Sequence, residues 1–360
     1  MLARQDGRRP SLSNERYRVR DACRAAERRY GLRSTAPADR TAPKYPTRGE
    51  SEKATRRGLD EAPRVTLRRA VNLAVASSAT AREFFARLEA AGITVRQRHS
   101  SENPGQVTGY AVALNGDVNS GGDPVWYSGG KLAADLTWPK LALRWHPAEQ
   151  EKDIKLTDAE RVALFDRAAE TAASTTAQIR AFGTANLGAV ADAAQAAADT
   201  LHVAAALLGS RPLRQAADFY QHAAREPFGR VPRPTKAGSD LRQAARVMAA
   251  YANLSGDSTN SWAILVVRLA ALAEAIAELR QAQQRAAQAR DALTAARQLR
   301  AIRLVAPPTR PPRARNAADV AAQSFPRSAR AVPSQLGAEQ AARPAYQPAP
   351  AQPRPRGPSR

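Results

Sequence analysis

Cysteine occurs once in the 360 residues, at Cys23, so no intramolecular disulfide can form. Its neighbours in the local pattern are apolar, which predicts a packed thiol. Aromatic residues make up only 5% of the chain. A core must therefore be built mostly from Ala, Leu and Val. Long hydrophobic runs are missing as well. The longest candidate, SWAILVVRLAALAEAIAEL, is broken by Arg268, Glu274 and Glu278. It falls short of the roughly 20 apolar residues of a membrane span. At the start, Arg4, Arg8 and Arg9 arrive without the apolar run of a signal peptide. The expectation is a cytoplasmic protein with no membrane span.

Histidine is scarce, and so are the motifs that carry chemistry. His99, His146, His202 and His222 show no HxH or HxxxH spacing, so no histidine metal site is expected. P-loop and dinucleotide-binding glycine patterns are missing. WYSGGK has a Gly-Gly-Lys element but lacks the earlier glycine and the Ser/Thr after the lysine, so it reads as a turn. There is no GxSxG, and no carboxylate pair stands out from ordinary helix surface. The residues alone assemble no active site and call for no cofactor in this chain.

Acidic residues are the minority. Asp and Glu number 33 against 55 Lys and Arg, a formal net charge of +22. Such an excess speaks about partners and not about fold. Nucleic acid is the first partner to consider, because Lys and Arg on phosphates release counterions. Most of the charge is arginine, whose planar fork suits phosphate. A GC-rich coding bias also raises Arg, Ala and Pro together and accounts for part of the excess.

What is present divides the chain into four parts: 1–62, 63–147, 150–305 and 306–360. The first opens with a helix over 13–31, with Ser13 as N-cap and Leu12 stapled against Tyr17. Val19, Ala22, Cys23, Ala26 and Tyr30 form one apolar stripe, and Gly31 ends it. Its other face carries Arg16, Arg18, Arg20, Arg24 and Arg28. Residues 34–63 read as a polar arm with a short helix near 49–58. That arm is either a solvated linker or, through Arg40, Lys44, Arg48 and Lys53, a track for a phosphate backbone.

The second part reads as two helices over a small antiparallel sheet. TLRRAVNLAVA and TAREFFARLEAAG have helical spacing, the latter with Thr80 and Glu83 at capping positions. ITVRQRH, QVTGYAVAL and PVWYSGG alternate as strands. KLAADLTWPKLALRW returns to helical spacing. The third part is all-α and alanine-rich, and short loops predict antiparallel neighbours in a bundle. Thr157 caps its first helix, and its last runs unbroken from about Thr259 to Arg303. The fourth is Pro, Ala, Arg and Gln, a composition that cannot offset its ordering entropy, so a disordered basic tail is expected. The fold class is α+β.

A basic strand surface emerges from this pattern. Arg96, Arg98 and His99 lie on one strand, with Tyr110, Trp126 and Tyr127 on its neighbours. Arginines beside aromatics can stack the bases of a single strand. The candidate phosphate contacts are Arg16, Arg20, Arg24, Arg96, Arg98 and Lys131. Tyr110 and Tyr127 are the candidate stacking residues, while Trp126, Trp138 and Trp145 are expected to fill the core.

The order ARQDGRRPSLSNERYRVRDACRAAERRYGL, then FFARLEAAGITVRQRHSSENPGQVTGYAVAL, then PVWYSGGKLAADLTWPKL resembles the relaxases of mobilisable plasmids and integrative elements, most like the actinobacterial branch. The resemblance covers roughly residues 1–146. It implies a role in DNA mobilisation, with single-stranded DNA at a transfer origin as partner and conjugation accessory or coupling proteins as further partners. In that family a tyrosine attacks the phosphodiester and a histidine cluster holds a divalent metal that stabilises the developing charge. LARQDGRRPSLSN resembles the segment directly after the family's histidine-bearing strand. The resemblance therefore implies that nucleophile and metal ligands lie outside this chain, through a mis-called start, a decayed gene or a separately encoded subunit. No catalytic residue is carried over; Tyr17, Tyr30 and Tyr45 do not match the nucleophile position. The resemblance implies a DNA-binding or docking portion that does not nick by itself. The alternative is a helical interaction or oligomerisation protein of a mobile element.

Overall fold

A computed structural model describes residues 15–32, 39–145, 156–182, 187–250 and 256–302. The expectations placed on Leu12, Ser13, His146 and the 306–360 tail lie outside the described residues. So does the side chain of Arg16.

The first helix, α1, spans Glu15–Arg29. Its stripe is not packed: Val19 and Tyr30 stand exposed, and Cys23 is exposed where a packed thiol was expected. The polar arm holds a second helix, α2 (Arg48–Arg56), closed by a capping box between Thr47 and Glu50. The arm is anchored. Lys53 and Arg57 both reach the buried carboxylate of Asp117, and Arg64 pairs with Glu50 at 2.8 Å.

Next come helices α3 (Pro63–Ser77) and α4 (Ala81–Ala90), then strands β1 (Ile93–His99), β2 (Val107–Leu114) and β3 (Tyr127–Ser128). The sheet is antiparallel, as expected, and its order is β1-β2-β3. The third strand is much shorter than PVWYSGG implies. Two short helices, α5 (Gly129–Leu132) and α6 (Trp138–Ala142), close the unit around a 3-10 turn at Ala134–Leu136. Leu67, Val71, Phe84, Leu88, Val112 and Leu136 form its core.

Six further helices lie among the described residues: α7 (Asp158–Phe182), α8 (Leu187–Leu208), α9 (Arg211–Ala224), α10 (Lys236–Ala250), α11 (Gly256–Ala282) and α12 (Ala286–Ala301). Their core is largely alanine, with Phe165, Tyr220, Met248 and Trp262 as its bulkiest members. One expectation fails here: the unbroken last helix is a hairpin of α11 and α12. Arg180 of α7 meets Glu278 of α11 at 3.5 Å, near the C-terminal ends of both helices, the relation that alternating up-and-down connections give to the first and fifth helices.

Helix α3 faces both cores. Leu67 and Val71 belong to the sheet unit's cluster, while Leu73 and Ala76 pack with the helical one. No helix among the described residues is long and apolar enough to cross a membrane.

Candidate nucleic-acid interface

In an antiparallel pair, residues directly opposite each other share a face. Arg96 lies opposite Ala111, and Ala111 opposite Ser128; Arg98 lies opposite Gly109, and Thr94 opposite Ala113. Tyr127 pairs with Val112 on the core face, so alternation turns its neighbour Trp126 to the outer face. That outer face thus has Arg96 and Arg98 on one edge and Trp126 on the other. Between them the central strand contributes only Gly109, Ala111 and Ala113.

The small residues let long ones cross. The Arg96 guanidinium spans the central strand and lies over the Trp126 ring, 4.5 Å from its centroid. Cation–π contacts at exposed sites are worth about 0.5–1 kcal/mol, enough to bias the arginine without locking it. Arg98 folds over Gly109 and donates to the Thr108 hydroxyl at 3.2 Å. A Cβ at position 109 would sit 3.3 Å from the Arg98 Nε, so the glycine makes room for that pose. Arg96, Arg98 and His99 are exposed, and no partner anion among the described residues neutralises either arginine. Trp126 is carried by the turn after β2, where the Asn119 side-chain oxygen accepts from the amides of Gly121 and Asp123, both at 2.9 Å.

The two tyrosines expected to stack bases are elsewhere. Tyr110 is buried, and its hydroxyl donates to the Leu136 carbonyl at 2.8 Å. Tyr127 is buried too, and its hydroxyl donates to Glu50 at 2.9 Å. Neither ring offers a face to a base. Burial pushes both phenols up; for Tyr127 the bonded Glu50 carboxylate adds to the shift. Burial alone would raise Glu50, but hydrogen bonds from Arg64, the Thr47 amide and Tyr127 outweigh it and hold the carboxyl below its ordinary value. These groups clamp the arm to the sheet unit. Trp126 is the aromatic that the strand pattern brings to the right face, although the sequence assigned it to the core. Trp138 and Trp145 do pack against the core, in ring contact with Phe85 and Phe84 respectively.

The remaining candidates do not join this face. Lys131 is exposed on α5. Arg20 and Arg24 are on α1, where Arg20 lies 3.9 Å from Asp21. Among the described residues no cluster of His, Cys, Asp and Glu side chains is placed to hold a metal ion.

Comparison with known proteins adds no identification: no family model, no curated protein and no solved structure matches the chain.

Proposed function

We propose that the chain binds single-stranded DNA on the outer face of its three-stranded sheet. Backbone phosphates meet Arg96 and Arg98, and a base stacks at Trp126, on the indole or on the guanidinium above it. The observation that carries the reading is the Arg96–Trp126 stack across a strand of small residues. The net charge of +22 supports it by favouring polyanions at long range. The resemblance to relaxases supports the same partner and a role as a DNA-engaging, partner-docking portion of a mobilisation system.

The test is fluorescence anisotropy of labelled (dT)15 over a salt series. Arg96→Ala/Arg98→Ala is expected to weaken binding and flatten the salt slope by roughly 0.7 for each phosphate no longer neutralised. Trp126→Ala is expected to cost about 1–3 kcal/mol, the worth of one stacked base. Unchanged affinity and slope in both variants would remove the interface.

A second reading, a helical interaction or oligomerisation module, has one observation of its own. Ile264 and Val267 stand exposed on α11, at 49% and 62%. A defined oligomer in sedimentation, with no affinity for (dT)15 at physiological salt, would decide for it.

A further inference from the structure

A cleft of about 550 Å³ opens in the helical region, far along the chain from the sheet face. Its floor is aliphatic: Val190 and Ala194 of α8, Ile276 and Leu279 of α11. Its rim is cationic: Arg230 and Arg233 from the α9–α10 loop, Arg280 and Arg285 from the end of α11 and the turn beyond. Among the described residues the only acidic side chain in the lining is Glu226.

These arginines have different jobs. Arg280 is spent on structure. It donates to the Ala223 and Ala224 carbonyls at the end of α9, at 2.9 and 3.2 Å, and pairs with Glu226 at 2.9 Å. That pairing engages Glu226, the one carboxylate of the lining among the described residues. Arg230, Arg233 and Arg285 have no ion pair among the described residues. Arg285 is the most exacting of them. Its Nη1 is out of reach of solvent and has no hydrogen-bond partner. Burial, then the nearby charge of Arg280, holds its pKa below the ordinary guanidinium value; Arg230 adds to the effect, against the carboxylates of Glu226 and Asp39. Three arginines without ion pairs against one carboxylate leave the rim with an excess of positive charge, which an anion relieves.

We propose that this cleft binds a small phosphate monoester, with the phosphate held by Arg285 and Arg230 and the organic part laid over Val190, Ala194 and Ile276. Arginine forks match phosphate oxygens two at a time, which favours phosphate over a point-like anion. Among the described residues the lining holds no aromatic ring, so nothing in it stacks a base, and an aliphatic body fits better than a nucleobase. The volume lies in the range of small-molecule sites, about 300–1,000 Å³.

Titration calorimetry of the full chain tests this with n-hexyl phosphate, inorganic phosphate and neutral 1-hexanol. Hexyl phosphate is expected to bind saturably at one per chain, more tightly than either fragment. Arg285→Gln and, separately, Arg230→Gln are expected to weaken it tenfold or more. Arg230 is exposed, so its variant keeps the test valid if Arg285→Gln disturbs the turn. Unchanged binding in the Arg230 variant, or hexanol binding as well as the ester, would overturn the proposal. Inorganic phosphate binding as tightly as the ester would remove the floor from the site and overturn the assignment to an ester. If (dT)15 displaces hexyl phosphate and itself loses affinity in Arg230→Gln, the cleft is a nucleic-acid backbone site and the small-ester proposal fails. The Arg96→Ala/Arg98→Ala chain is expected to keep full affinity for hexyl phosphate, so the outcome is independent of the sheet face.

Discussion

Gly129 shows how little tolerance the sheet unit has at single positions. A Cβ there would come within 1.8 Å of the Leu136 carbonyl oxygen and 2.7 Å of the Tyr110 hydroxyl. Those two atoms are hydrogen-bonded to each other, and both residues are buried. Gly129→Ala must push the turn at Ala134–Leu136 away from the sheet and leave that bond stretched. The expected loss is about 1–3 kcal/mol, from overpacking together with an unsatisfied buried hydroxyl, read as a drop in the urea midpoint. On the outer face the logic is the reverse. Trp126→Ala removes a half-exposed ring from the rim of the sheet, so stability is expected to change by less than about 1 kcal/mol while DNA affinity falls. That contrast separates a binding residue from a packing residue, and one denaturation curve beside one anisotropy titration measures it. Trp126 was hard to read in the sequence because β3 is only two residues long, too short for alternation to show which face a side chain takes.

At the scale of elements, the break between α11 and α12 has a local cause. The Gln284 amide bonds to the Gln281 carbonyl and the Arg285 amide to the Arg280 carbonyl, at 2.9 and 2.8 Å. This is the Schellman closure, and it puts Gln284 in the left-handed region at φ 58°. Glycine ordinarily occupies that position. A glutamine there hides the helix end, so RQAQQRAAQ reads as continuous helix. Gln284→Gly is expected to stabilise the hairpin by about 0.5–1 kcal/mol, because a Cβ in that region is strained and glycine has none. Thermal unfolding checks it, and a lower midpoint would show that the strain is not there. The hairpin is stabilised from outside as well. Gln288 of α12 donates to the His222 and Arg225 carbonyls at the end of α9, both at 2.8 Å. Elsewhere the expected start signals hold: Thr80 and Thr157 each accept a hydrogen bond from the glutamate amide at the third residue of the helix they precede, and the structure adds Thr47 and Ser210 in the same role.

Across the whole molecule, the sheet unit and the helical region meet along a polar seam. Arg225 sits buried between them, bonded to Asp135 and to the Thr41 carbonyl, both at 2.7 Å. Arg69 of α3 pairs with Asp218 of α9. Asn72 and Gln221 exchange amide hydrogen bonds, and the Gln221 oxygen meets the His202 ring nitrogen at 2.6 Å. His202 is buried. Burial pushes its pKa below 6.5 and Arg69 pushes the same way, against Asp218, Gln221 and Asp199. The native imidazole therefore resists a proton that the unfolded chain accepts. Its contribution is fully present above pH 6.5 and is lost as pH falls from there through the native pKa. His202→Gln is expected to flatten the fall of stability between about pH 7 and 5, by up to about 1.4 kcal/mol per pH unit, the slope of one proton. Urea unfolding at stepped pH measures it; parallel curves for parent and variant would mean that His202 titrates alike in both states.

The sequence by itself determined most of the helices, the three strand segments and the alanine-built core. Each of those is a local matter of spacing, capping and turn residues repeated over many positions. Its basic strand was legible too, since Arg96 and Arg98 alternate with core-facing residues whatever the rest of the chain does. Only the tertiary structure decided which aromatic joins them. Tyr110 and Tyr127 fall on the core face, where their hydroxyls are bound by the Leu136 carbonyl and by Glu50, while Trp126 falls on the outer face. The same holds for the arginine cleft. Arg230, Arg233 and Arg285 are ordinary members of a chain with 55 basic residues, and they become a site only where α8, α11 and the α9–α10 loop bring them over one apolar floor. Convergence of distant side chains depends on packing, and no periodicity in the sequence records it.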